Sequence, residues 1–294
     1  MKIKSSKANI DSNCLQEVQR KLECFEDDVL PFLPSKESIL KRAKERQLKK
    51  KTLSSSVLAV FGLAVGVYWY NPEYKQFNVE TIKGEQSIYV LSDGSKIHLN
   101  TDTEITVIEK IRSREIMMKQ GEANFTVAHS AHKITQYFDR SFKVHAGDME
   151  ILDIGTVFNV LKHNDTDATV SVEQGEVAVK IKNSADEMLH LFQGQMLSNN
   201  KNKLGSIQKL DLEMINAWQS GEISFKQTRL INAIESFKRY SDFDVDIQNQ
   251  QIKNLEISGL FKAKNYQQFM QVLPVLSNIK VEKITDKKWI IKKI

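Results

Sequence analysis

A stretch of nineteen residues without charge, Thr52–Tyr70, constrains the fold of this 294-residue chain more than any other feature. As a helix rising about 1.5 Å per residue it measures roughly 28 Å, close to the hydrocarbon thickness of a bilayer. Three lysines precede it, and the aromatic residues that close it at Tyr68–Tyr70 favour a membrane interface. Asn71 and Pro72 then predict the end of the helix. Because about fifty residues come before it, a signal peptide is disfavoured, and the run predicts one transmembrane helix.

The charge distribution predicts an orientation for this helix. The segment before the run holds 13 Lys and Arg against 8 Asp and Glu, a net charge of +5, which equals that of the whole chain. The remainder is therefore neutral. Flanking Lys and Arg stay on the cytoplasmic side, so we expect the N-terminus inside and the 222 residues from Glu73 onward outside. The neutral outer region also disfavours the nucleic-acid partner that a pI of 8.9 would otherwise indicate.

The segment before the run contains one amphipathic pattern. Leu15, Val18, Leu22 and Phe25 recur at spacings of three and four, which predicts a helix with one apolar stripe. Two interpretations stay open for it. The segment is either a largely disordered tail with a short helix, or a helix that folds into the groove of a cytoplasmic partner.

Alternating apolar residues from about residue 77 to residue 200 predict a β-rich domain. Asp93–Gly94 is a strong signal for a two-residue hairpin turn. With that turn, Val90 would face Ile97 and Ile88 would face Leu99, so that all four share one buried face. His98 would then lie on the opposite face, without a functional role.

Four glycines of this region fall at nearly regular intervals. Gly94, Gly121, Gly147 and Gly175 are spaced by 27, 26 and 28 residues, and each lies between two alternating runs. A hairpin or arc repeated at this spacing predicts a stacked, solenoid-like sheet. A β-sandwich would also give regular turns, so both architectures remain open.

The pattern changes after residue 216. The chain there reads as strand, helix, strand and then strand, helix, strand, strand, which predicts a small α+β domain of two βαβ units at residues 216–294. In the second unit Gly259 interrupts a strand and Phe261 follows it. A glycine at such a place often marks a bulge or a close approach of another backbone.

Six short stretches follow one another between residues 91 and 195: LSDGSKIHLNTDTEITV, QGEANFTVAH, SFKV, DIGTVFNV, VEQGEVAVK and FQGQ. In this order they resemble the FecR family of membrane-spanning sigma-factor regulators, which act in iron-uptake cell-surface signalling of Gram-negative bacteria. Two later stretches, AWQSGEISFKQTRLINAIESFKRYS and LEISGLFKAKNYQQFMQVLPV, are similar to the family's C-terminal secretin/TonB short N-terminal (STN) domain.

The resemblance implies an architecture. The chain would be a single-pass protein of the bacterial inner membrane, with a short helical cytoplasmic tail at residues 1–51 and a transmembrane helix at residues 52–70. A periplasmic all-β FecR domain would occupy residues 77–200. An STN-like α+β domain would follow at residues 216–294, also in the periplasm.

The resemblance also implies a function, that of an anti-sigma factor. The tail would hold an extracytoplasmic-function sigma factor through Leu15, Val18, Leu22 and Phe25. The periplasmic part would sense the signalling domain of an outer-membrane TonB-dependent transducer. Periplasmic and intramembrane proteases would then release the tail. The alternative is a membrane-tethered periplasmic scaffold or ligand-binding module without a sigma partner.

Two further pairs of residues are candidate sites under this resemblance. Gly62 and Gly66 form a GxxxG in the uncharged run, and we expect them to weaken the helix as an intramembrane protease requires. Gly259 and Phe261 are the candidate transducer-binding residues.

Catalysis and metal binding are not expected from the residues. His129 and His132 form an HxxH, and together with His145 and Asp148 they could supply the zinc site of a hydrolase. An HxxH suits a metal only on a helix or a turn, because residues i and i+3 of a strand point to opposite faces. The region predicts strands instead. Cys14 and Cys24 lack nearby histidines, and no hydrolase or P-loop motif occurs. We therefore predict a protein that is not an enzyme and holds no cofactor.

Overall fold

The structure, a computed structural model, describes residues 12–29, 35–129 and 139–294. The chain divides into two compact units, Met1–Trp69 and Tyr70–Ile294. The helices that begin the chain are α1 (Ser12–Val29) and α2 (Lys36–Tyr70). The predicted helix end is confirmed, because α2 stops at Tyr70 and Asn71 adopts a φ of 52°.

The predicted single-pass architecture is wrong, because no helix among the described residues is long and apolar enough to cross a membrane. An uncharged run is not the same as an apolar one. Thr52 and Ser54–Ser56 lie among its first five residues, and three aromatic residues that carry polar groups occupy its last turn. The part between them, Val57–Val67, would extend only about 16 Å as a helix, roughly half of a bilayer core.

Fourteen strands follow α2 in the described residues and form one sheet. Their bounds are β1 Glu73–Thr81, β2 Ser87–Val90, β3 Lys96–Leu99, β4 Thr103–Lys110, β5 Ser113–Thr126, β6 Ser141–Ala146, β7 Met149–Asp153, β8 Val157–Lys162, β9 Ala168–Gln174, β10 Glu176–Ile181, β11 Leu189–Phe192, β12 Gln195–Asn200, β13 Lys203–Leu204 and β14 Gln208–Lys209. We call residues 73–209 the β domain.

The long strand β5 joins two arms of this sheet. Its first half pairs antiparallel with β4 and parallel with β6, whereas its second half pairs antiparallel with β3 and β8. The first arm therefore contains β1, β4, β6, β7, β10 and β11, and the second arm contains β2, β3, β8, β9, β12, β13 and β14. One apolar core draws on both arms. Phe125 in β5 lies between Phe142 of the first arm and Phe158 of the second, at ring-centroid distances of 5.8 and 5.1 Å.

The predicted register of the β2–β3 hairpin is wrong by one residue. Ile88 pairs with His98 and Tyr89 with Ile97, because Leu91 and Ser95 close a three-residue loop rather than a two-residue turn. The side-chain period of a strand is two, so this shift moves Ile88 to the outer face, where it is 61% exposed.

The regular glycines do not mark four equivalent hairpins, so the solenoid-like repeat predicted from their spacing is wrong. Gly94 and Gly147 lie in hairpin turns. Gly121 lies inside β5, where the strand changes arms, and Gly175 lies between β9 and β10, where the chain passes from the second arm to the first. Both of the latter have a positive φ and pass close to another backbone segment. The chain thus crosses repeatedly between the arms.

The C-terminal lobe comprises residues 212–294. Its elements are α3 Leu212–Asn216, a 3₁₀ turn Ala217–Ser220, β15 Glu222–Arg229, α4 Leu230–Lys238, β16 Asp244–Ile247, α5 Gln250–Lys253, β17 Glu256–Lys262, α6 Tyr266–Leu276, β18 Ile279–Thr285 and β19 Lys288–Lys293. The strands form an antiparallel pair β15–β17 and a three-stranded sheet in the order β16-β19-β18. Apart from the short α5, this order of strands and helices follows the sequence pattern, but the two predicted βαβ units are wrong, because β15 pairs with β17 and β16 pairs with β19. A second apolar core, rich in phenylalanine, lies inside the lobe.

We predict that Gly175→Ala destabilises the chain by about 3 kcal/mol or more. A Cβ at this position would lie 2.0 Å from the carbonyl oxygen of Gly155, in addition to the strain of a φ of 81°. Gly194 provides the matched control, because its φ is 79° and a Cβ there meets nothing within 4 Å. Gly194→Ala should cost only about 1 kcal/mol. Urea denaturation of both variants measures the difference, and equal losses would contradict the crossing geometry.

Candidate functional site at the junction of the β domain and the C-terminal lobe

The C-terminal lobe packs on the face of the second arm that points away from the core. We call this face the docking face, and its residues include His98, Glu122, Asn159, Ser171 and Met196. Trp218 of the 3₁₀ turn is buried against it, with its ring centroid 4.7 Å from that of His98. The side chain of Gln86 donates a hydrogen bond of 2.7 Å to the carbonyl oxygen of Trp218. His98, for which the sequence predicted no role, therefore contacts the lobe.

A buried carboxylate, that of Glu122, lies at the centre of the junction. It accepts hydrogen bonds from the side-chain amides of Asn100 and Asn159, both at 2.9 Å. From the lobe, Arg239 donates a third bond at 2.7 Å. The side chain of Glu122 is 9% exposed, whereas that of Arg239 is 34% exposed. The β domain thus holds the buried charge and the lobe supplies a half-buried cation.

Further hydrogen bonds connect the residues around this pair. The hydroxyl group of Tyr240 donates to the side-chain oxygen of Asn100 at 3.0 Å, and the hydroxyl group of Thr101 donates to the backbone oxygen of Arg239 at 2.9 Å. At the rim, Lys83 and Asp242 form an exposed ion pair at 2.6 Å, which solvent weakens. The junction is therefore a polar network flanked by the tilted ring contact of Trp218 with His98.

The pKa shifts in the network favour a charged Arg239, a protonated Tyr240 hydroxyl group and neutral histidines. Desolvation opposes the charge of Arg239, but the adjacent Glu122 carboxylate raises the pKa of its guanidinium above the ordinary value. Burial raises the pKa of Tyr240 to about 12, so its hydroxyl group stays a donor. Desolvation lowers the pKa of His98, and desolvation together with Arg239 lowers the pKa of His163. Both imidazoles are thereby biased toward the neutral form at neutral pH.

A cleft of about 280 Å³ opens beside this network, between the docking face and the lobe. The β domain contributes Leu161 and Met196 to its wall, and the lobe contributes Met214, Ile215 and Ile223. Polar side chains of the junction, including Asn159 and Arg239, line the rest. The site therefore combines an apolar wall with a few polar groups, as ligand-binding clefts usually do.

The structure places the predicted sigma-binding stripe on α1. Leu15, Val18 and Leu22 are 53%, 49% and 60% exposed. Phe25 belongs to the same helix, but its side chain lies outside the described residues. Three apolar side chains thus share an exposed helical face, and their role in binding stays a prediction.

The other predicted site residues lie in α2 and β17. Gly62 and Gly66 lie in α2, and a Cβ at either position would meet nothing within 4 Å. Gly259 lies in β17 with a φ of 148°, and a Cβ there would come within 3.1 Å of the ring of Phe261. Phe261 itself packs against Phe269 at a centroid distance of 5.1 Å, as part of the lobe core. The geometry therefore gives Phe261 a packing role, and transducer binding at this pair stays a prediction.

The histidines that suggested a metal site are held in other contacts or lie outside the described residues. The Nε2 atom of His129 lies 2.8 Å from a carboxylate oxygen of Asp153, and its Nδ1 atom lies 3.8 Å from one of Asp139. His132 lies outside the described residues, as does the side chain of Cys14. Across the part of the chain that the structure describes, no three His, Cys, Asp or Glu side chains converge as metal ligands would.

Two family models match the regions on either side of the junction. The model of the FecR protein family matches residues 77–178, and the model of the FecR C-terminal region matches residues 222–291. Together they span more than half of the chain, which therefore belongs to the FecR family. An STN domain as such stays a prediction, because the C-terminal match is to the family's own model.

The fold is also similar to two crystal structures of a candidate anti-sigma factor from Parabacteroides distasonis ATCC 8503. The TM-scores are 0.60 and 0.58, and the identity is 21% in both comparisons. The similarity covers 75% and 74% of this chain and 100% and 99% of those chains. At this identity the likeness concerns the fold alone. No curated protein matches the chain in sequence.

The residues that build the junction were not among the predicted site residues. Glu122 and Asn100 lie inside two of the quoted FecR stretches, and Arg239 and Tyr240 lie in the first C-terminal one. No local signal singled out Glu122, because in a strand whose apolar residues Ala123 and Phe125 alternate with polar ones, a neighbouring charge predicts only a position on the outer face. The partner of Glu122 could not be predicted either, since Arg239 is 117 residues away in sequence.

We predict that Glu122 and Arg239 are energetically coupled across the junction. Arg239→Met should cost about 2 kcal/mol, and the double variant with Glu122→Gln should cost little more than either single change. The coupling energy from this cycle should be about 1–2 kcal/mol, measured by urea denaturation. Lys83→Met is the matched control, because it removes the exposed ion pair to Asp242 and should cost less than about 0.5 kcal/mol. Strict additivity of the two changes would contradict the network.

Proposed function

We propose that this protein regulates an extracytoplasmic-function sigma factor by binding it through α1. Membership of the FecR family and the likeness to structures described as a candidate anti-sigma factor support this function. The observation that carries it is the exposed stripe of Leu15, Val18 and Leu22 on a helix, because a monomeric chain gains nothing from exposing an aligned apolar face.

The stripe fits the helix-in-groove mode of recognition. In this mode, apolar residues at spacings of three and four enter a hydrophobic groove of the partner while polar residues stay in water. Each fully buried leucine or valine contributes about 1.5–3 kcal/mol, so three anchors are enough for specific binding. Acidic and basic residues of the other faces, among them the pair of Glu17 and Lys21 at 3.4 Å, keep the helix soluble.

The C-terminal lobe is the proposed sensing end. In the described residues β17 pairs only with β15, and Leu260 of β17 is 58% exposed. An unpaired strand edge accepts a strand of another domain through backbone hydrogen bonds. We assign this edge to the signalling domain of a TonB-dependent transducer. Proteolytic release of the N-terminal segment, near Gly62 and Gly66, is the further step by which such binding would free the sigma factor.

We predict that Leu22→Asp weakens binding to the sigma factor by about 30-fold or more. The change removes an anchor worth about 2 kcal/mol and places a charge in an apolar groove. Gln16→Asp is the matched control, since it introduces the same charge on another face of α1 and should change affinity less than about threefold. Two-hybrid and co-purification experiments with the host's extracytoplasmic-function sigma factors measure this. If no sigma factor binds the unchanged chain, a scaffold or ligand-binding module is favoured instead.

We predict that Leu260→Lys weakens binding of the transducer's signalling domain by at least about tenfold, because a lysine shields a strand edge from pairing. Val275→Lys is the control, since Val275 is an exposed apolar residue of α6 in the same lobe, at 83% exposure. Calorimetry with the signalling domain should show the control within about twofold of the unchanged chain. Equal effects of the two lysines would place the binding surface elsewhere.

A further inference from the structure

The cleft at the junction exists only while the lobe is docked, because each partner contributes one wall. Leu161 and Met196 of the β domain face it from one side, and Ile215 and Ile223 of the lobe face it from the other. All four side chains are only half-buried, and Met214 at the rim is 42% exposed. An apolar site of this kind gains free energy when an apolar molecule displaces its water.

Two polar groups in the wall lack a hydrogen-bond partner among the described residues. These are the side-chain oxygen of Asn159 and the indole nitrogen of Trp218, and both atoms are buried. The oxygen accepts and the indole N–H donates. An unpaired buried polar group costs about 1–3 kcal/mol, so a ligand that pairs with either gains affinity and specificity.

The charges at the cleft balance. Glu122 and Arg239 both line it and lie 2.7 Å apart, and Glu222, the other carboxylate in the wall, is paired with Lys262 at 2.8 Å. The imidazole of His163, also in the wall, has a lowered pKa and is biased toward the neutral form. A charged ligand would therefore lose its hydration without gaining a counter-charge, which favours a neutral one.

We infer that this cleft binds a small neutral molecule with a flat apolar body and one amide-like group that both donates and accepts a hydrogen bond. The volume of about 280 Å³ admits a body of two fused rings. Because both walls are needed, the ligand binds the docked lobe better than a released one and shifts the population toward docking. This inference does not depend on the sigma partner or on the transducer.

The test uses 2-quinolinone, a bicyclic lactam, as the probe. An NMR titration of the full chain, followed at the indole N–H signals, should show a saturable shift of Trp218 with a dissociation constant of about 0.1–1 mM. Trp289 is an internal control, because its indole nitrogen is also buried without a partner among the described residues but does not line the cleft. No saturable shift up to about 5 mM, or equal shifts of both signals, would overturn the inference.

A pair of variants on α4 separates the cleft from other surfaces. Ser236 lines the cleft, whereas Asn232, one turn earlier on the same helix, does not and is exposed. Ser236→Phe should fill the cleft and weaken 2-quinolinone binding at least tenfold, and Asn232→Phe should leave it within twofold. Hydrogen exchange of the lobe in each variant shows whether docking is kept. A folded, docked Ser236→Phe chain that binds the probe with unchanged affinity would also overturn the inference.

Discussion

The carboxylate of Glu122 is the constraint around which the junction of β domain and lobe is organised. A buried ionised carboxylate is costly unless donors surround it. Here Asn100 and Asn159 provide two donors from within the β domain, so the charge is stabilised before the lobe contributes anything. The strand β5 makes this possible, because its second half sets Glu122 on the outer face while Ala123 and Phe125 point into the core.

Loss of the contact to Arg239 would leave no uncompensated buried charge at Glu122. When Arg239 leaves, Glu122 keeps its two amide donors, and the guanidinium, already one-third exposed, regains water. Neither partner is left as an unpaired buried charge, which is the case that costs several kcal/mol. The apolar part of the junction is small and centres on Trp218 against His98. Polar junctions between two parts of one chain are typically compatible with relative motion of those parts.

The range of each interaction along the chain explains which features the sequence predicted and which it could not predict. Alternation of apolar residues predicted the strands, and the order of strands and helices in the lobe, because both are local patterns. The predicted register of the hairpin at Gly94 was wrong because a three-residue loop and a two-residue turn look alike in sequence. The two bury opposite faces of the strand, so Ile88 is exposed in the structure. The prediction of a transmembrane helix at residues 52–70 was wrong because a run without charge was assumed to be apolar throughout. The contact of Glu122 with Arg239 could not be found, since no local pattern relates residues so far apart.

Under the proposed function, a signal received at the lobe would reach the rest of the chain only through differential binding. A partner strand that pairs with β17 equally well in docked and released lobes would shift nothing, however tightly it bound. The strand β15 gives a structural reason for a difference, because it pairs with β17 along one edge and contributes Ile223 and Phe225 to the wall of the cleft. A change in the twist or register of β17 therefore alters one wall of the cleft. Linkage requires the converse as well, so that whatever fills the cleft alters the affinity of the β17 edge by the same factor.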